Sequence, residues 1–98
     1  MGFIDDVVEK VKGISTEETS PTLCACELSN AFGVVQDMRG LDPAARSQAL
    51  AQVAATARDK YMEYGAMPGG KGDEFLEGLR GFRPILYESM KAIMNSHQ

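Results

Sequence analysis

Ninety-eight residues suffice for one domain with one buried core, and 44% hydrophobic against 24% charged side chains argues against both disorder and a bilayer-embedded chain. The start, Met1-Gly2-Phe3-Ile4-Asp5-Asp6, lacks the basic n-region and long apolar run of a secretory signal, and no apolar run anywhere nears the ~20 residues of a membrane span. The net charge of −4 carries no basic stripe, so neither nucleic acid nor a membrane is an expected partner, and a small acidic cytoplasmic protein is the starting expectation.

Met1-Gly2 fails as a myristoylation signal, because Asp6 stands where that motif needs Ser or Thr. Phe3, Ile4, Val7, Val8, Val11 and Ile14 follow the i, i+3, i+4, i+7 spacing of one apolar helical stripe. Asp5 and Asp6 open that helix and Lys10 and Lys12 close it, as the helix dipole favours, with Gly13 as the stop. The chain thus divides into an N-terminal amphipathic helix over 1–14, a polar connector over 15–20 and a helical core over 21–98, all in a single domain. The connector, Ser15-Thr16-Glu17-Glu18-Thr19-Ser20, offers no apolar anchor. The first helix can therefore pack on its own bundle or enter a groove on another chain.

Ser20-Pro21 is an N-cap followed by the favoured first-turn proline, predicting a helix to about Met38 or Arg39 with Cys24, Leu28, Ala31, Phe32, Val35 and Met38 inward. Gly33 inside it marks a close helix crossing. Asp42-Pro43 repeats the signal after a turn at Gly40, making the second and third helices antiparallel neighbours. The alanine-rich third helix reaches about Tyr64. Gly65 to Gly72 reads as a loop, Asp73 as the next cap, and Pro84 as a break near Gly81–Arg83 before a last segment ending about Asn95. The prediction is all-α: a compact bundle of four to five short helices, the last broken near Pro84.

The loop Gly65-Ala66-Met67-Pro68-Gly69-Gly70-Lys71-Gly72 satisfies G-x-x-x-x-G-K but puts Gly72 where Mg²⁺ coordination needs Ser or Thr, and a helical pattern precedes it instead of a strand. Nucleotide chemistry is not expected. Asp73 and Glu74 would also repel an anion held on the following helix start. A flexible interhelical connection is the favoured reading, with display of Met67 to a partner as the functional one.

Cys24 and Cys26 are separated by one residue, too close for an unstrained disulfide, and their directions differ by about 200° on a helix. Cys24 fits the core stripe; metal binding or thiol redox chemistry at Cys24 and Cys26 is the alternative, weakened because His97 is the sole imidazole. His97 lies where chains fray, which makes a dyad built on it poorly held, and Glu17, Glu18, Glu74 and Glu77 read as solvated. The methionines, including Met90 and Met94 on one face, read as core fillers.

These residues point to a non-enzymatic protein-interaction module without cofactor, an adaptor, inhibitor or assembly subunit. Its partner is another protein or a second copy of the chain. Contacts are expected from Met67 and Lys71 in the loop, Phe82 and Arg83 at the kink, and Phe3 and Val7 on the first stripe.

Overall fold

The computed structural model describes residues 2–96; Met1 and His97, and with them the reading of His97, lie outside the described residues. The described residues form five α-helices and no strand: α1 (Phe3–Lys12), α2 (Pro21–Asp37), α3 (Pro43–Ala66), α4 (Gly72–Phe82) and α5 (Pro84–Ser96). The all-α bundle expected from the periodicities is therefore the fold. No described helix is long and apolar enough to cross a membrane.

Local chemistry sets the ends of the two central helices. The Ser20 hydroxyl accepts the Leu23 amide at 3.2 Å, and the Asp42 carboxylate accepts those of Ala44 and Ala45 at 3.1 and 3.2 Å. A proline fills the first turn of each. α2 stops at Asp37, just short of the predicted end, and Met38 is extended. The Arg46 guanidinium from the first turn of α3 donates to the Met38 carbonyl and ties the two helices together at their turn.

α3 is longer than its breaker residues suggested. Gly65 and Ala66 remain helical, and the helix ends where Met67 turns extended (φ −73°, ψ 152°) ahead of Pro68. A glycine tolerates helical dihedrals; the residue before a proline resists them. The remaining loop, 67–71, is bonded to itself and to α3: Gly70 donates to the Met67 carbonyl at 2.9 Å and Lys71 to that of Tyr64 at 3.0 Å. Gly69 and Gly70 supply positive φ values of 91° and 59°.

The predicted cap at Asp73 is corrected. α4 begins two residues earlier, with Lys71 at the N-cap position and no side-chain cap, and Asp73 and Glu74 lie in its first turn. Gly72 is buried there against Tyr61; a β-carbon at that position would stand 2.9 Å from Tyr61 Cε1. The break before Pro84 falls at Arg83 (φ −156°, ψ 88°), as its missing amide requires.

α2 lies at the centre, packed on α4, α3 and α1, while α3 also receives α4, α5 and α1. Leu28, Phe32, Val53, Phe75, Leu79, Leu86 and Met90 fill the interior. Gly78 permits α2 and α4 to approach closely, since a β-carbon there would meet that of Ala25 at 2.8 Å. The Cα radius of gyration is 12.9 Å, near the about 13 Å of a packed 100-residue domain, so α1 is folded onto the rest.

Candidate partner-binding groove

α1 docks through Val8 and Val11, both buried against α2 and α3. Apolar contact is half of the attachment. Lys60 of α3 is itself buried, and its ammonium donates to the carbonyls of Lys12 at 3.0 Å and Ile14 at 2.8 Å, capping the C-terminus of α1 from outside. The connector expected to lack an anchor has two more. Thr16 donates to Glu63 Oε1 at 2.9 Å, and the buried Tyr64 hydroxyl donates to the Thr19 carbonyl at 2.7 Å. Sequence reading missed this set because it sought apolar anchors. A signal was present, for Lys60 falls on the inward stripe Val53, Ala57, Tyr64 at helical spacing.

Docking α1 leaves a groove of about 370 Å³ between α1 and α2. Phe3, Val7 and Val11 form one apolar wall and Ala31 and Val34 the other, with Asp6, Lys10, Glu27 and Asn30 along the rim. Phe3 is 61% exposed and Val34 41% exposed, so both present apolar surface to solvent. Lys10 and Glu27 approach at 4.0 Å across the rim, both well solvated, a pairing of little energetic weight. Asp6 and Glu27 against Lys10 leave the charged rim of the groove at net −1.

The α2 wall went unread in the sequence although its pattern is there. Leu23, Glu27, Asn30 and Val34 recur at i, i+4, i+7 and i+11 on the face away from Cys24, Leu28 and Val35. A helix with an obvious inward stripe conceals a second, outward one.

The predicted contact residues do not form one surface. Phe3 and Val7 meet in this groove. Met67 is half-buried in another depression with Ile14, Thr16 and Glu63, and Lys71 is exposed at the start of α4. Phe82 is 49% exposed at the other end of α4. Arg83 is engaged by its own bundle: Nε donates to the Ser29 carbonyl at 2.8 Å and Nη1 to Gln36 Oε1 at 3.2 Å. Its guanidinium lies on Gly33, where a β-carbon would stand 2.5 Å from Nη2. The close approach expected at Gly33 is thus to this side chain.

Cys24 is fully buried, and burial pushes its thiol above the ordinary 9.0, against the thiolate that metal binding or exchange requires. Cys26 is half-buried and accepts from Asn30 Nδ2 at 3.8 Å. Both are free, and among the described residues no group of three or more His, Cys, Asp or Glu is placed to hold a metal ion. No protein-family model, curated protein or solved structure matches this chain.

Proposed function

We propose that this chain is a non-enzymatic protein-interaction module whose α1–α2 groove receives a basic amphipathic helix of another protein. The observation that carries the reading is the pairing of exposed apolar side chains, Phe3 and Val34, with a rim on which Asp6 and Glu27 outnumber Lys10. An amphipathic helix would place two or three apolar side chains between α1 and α2, with its lysines or arginines over Asp6 and Glu27. Charge complementarity of this kind speeds encounter and fixes orientation. Two free thiols, one of them buried, agree with a reducing compartment such as the cytoplasm.

The test is titration with a synthetic Leu/Lys amphipathic peptide of about 14 residues, four helical turns, beside the matching Leu/Glu peptide. The Leu/Lys peptide binds and added salt weakens it. Phe3→Asp and Val34→Asp weaken it tenfold or more, while Glu74→Lys on α4 has a small effect. Equal binding of the Leu/Glu peptide, or unchanged affinity in both groove variants, removes the basis of the proposal.

A further inference from the structure

The two rim acids of the α1–α2 groove are not equivalent to a basic partner. Phe3 to Lys10 and Glu27 to Val34 each span about two helical turns, and all four residues line the groove. With Lys10 beside Glu27, the helices therefore run antiparallel, and Phe3 lies beside Val34 at the opposite end. The Lys10 ammonium stands 4.0 Å from Glu27 Oε2, so these two charges largely offset one another as felt by a third. Asp6 is differently placed. Lys10 occupies the i+4 position from which it could pair with Asp6, but its ammonium reaches across the groove to α2 instead. Among the described residues no cation pairs with the exposed Asp6 carboxylate.

The net charge of the rim is thus located on one side chain, and that side chain neighbours the exposed apolar end of the groove. Asp6 follows Phe3 by three positions, the spacing that puts two residues on one helical face. We infer that Asp6 is the residue by which the groove selects a basic partner. A lysine or arginine of the bound helix pairs with Asp6, within a turn of the apolar side chain seated between Phe3 and Val34. The Lys10–Glu27 end, already neutralised, contributes contact area and little charge selectivity. This role rests on the α1–α2 groove being the binding site, and it narrows the partner from any basic amphipathic helix to one whose cation lies beside its apolar anchor.

The test compares the Leu/Lys peptide with a Leu/Gln peptide of the same length, and the readout is the ratio of their affinities for the full chain. At about 0.15 M salt, exposed charges more than about 8 Å away are largely screened, so the ratio reports the rim. Asp6→Asn lowers the preference for lysine roughly threefold, the scale of one exposed ion pair, and Asp6→Lys lowers it further. The double variant Lys10→Gln/Glu27→Gln keeps the rim at net −1 and retains the preference. A merely structural effect, such as a loosened start of α1, weakens both peptides together and leaves the ratio alone. A preference that survives Asp6→Asn, or that disappears with the Lys10–Glu27 pair, overturns the role of Asp6 while Phe3→Asp and Val34→Asp still weaken both peptides. Absence of binding by either peptide, or binding that both groove variants leave unchanged, removes the groove itself and the role of Asp6 with it.

Discussion

In an ordinary helix interior, Gly33→Ala would stabilise α2 by up to about 1 kcal/mol, because alanine restricts the unfolded chain and favours the helix. Here the added carbon would fall 2.5 Å from Nη2 and 2.9 Å from Cζ of Arg83. The guanidinium must slide away and release the Ser29 carbonyl and Gln36 Oε1. Bonds from a charged donor contribute about 1.5–3 kcal/mol each; both are half-buried here, which sets the low end, roughly 3 kcal/mol for the pair. Subtracting the propensity gain leaves a net loss of about 2 kcal/mol, or a fall in Tm of roughly 8–16 °C for a chain this size. With Arg83→Ala already in place, the same Gly33→Ala change stabilises by about 1 kcal/mol, giving a coupling near 3 kcal/mol. Urea unfolding of the wild type, both single variants and the double variant measures it. Gly33→Ala stabilising the wild type, or a coupling below about 0.5 kcal/mol, would show that Arg83 does not dictate the glycine.

Lys60→Met removes both hydrogen bonds that cap the end of α1 while relieving a buried ammonium; the balance is a loss of about 2 kcal/mol, measured by urea unfolding. Burial raises the Cys24 thiol above its ordinary 9.0 and the Tyr64 hydroxyl above its ordinary 10.0. The folded chain then holds protons that the unfolded chain releases, so stability is full below pH 9.0 and declines as pH rises above it; Cys24→Ala should shallow that decline in unfolding experiments across pH. An alkylating reagent at pH 8 should label Cys26 in the folded protein and reach Cys24 only in denaturant, as peptide mass mapping would record.

What could be read from the sequence was governed by how local its causes are. Ser20-Pro21 and Asp42-Pro43 act within one turn, and both predicted starts match the caps observed. Pro84 breaks the chain at Arg83 by the same local rule. The end of α3 was misread because Gly65 looked like the breaker, when Pro68 acts through Met67. Asp73 looked like a cap because nothing local reveals that Gly72 must nest against Tyr61. Non-local polar contacts were least legible. Lys60 meets α1 across 48 positions and Arg83 meets Ser29 across 54; helical spacing turns Lys60 inward but names neither partner. The groove was half legible: Phe3 and Val7 lie on the prominent first stripe, whereas Val34 needed the arrangement of α1 on α2 to acquire a meaning.

The groove exists only while α1 stays docked, so amide hydrogen exchange along Phe3–Lys12 tests the account most directly. A free ten-residue helix is marginal in water, which makes protection in α1 a measure of its packing. Amides in the last turns of α1, beside Val8 and Val11, should be protected to nearly the level of α3 and lose that protection in Lys60→Met. Exchange of α1 at the rate of an unstructured peptide, with α2 and α3 still protected, would contradict the account.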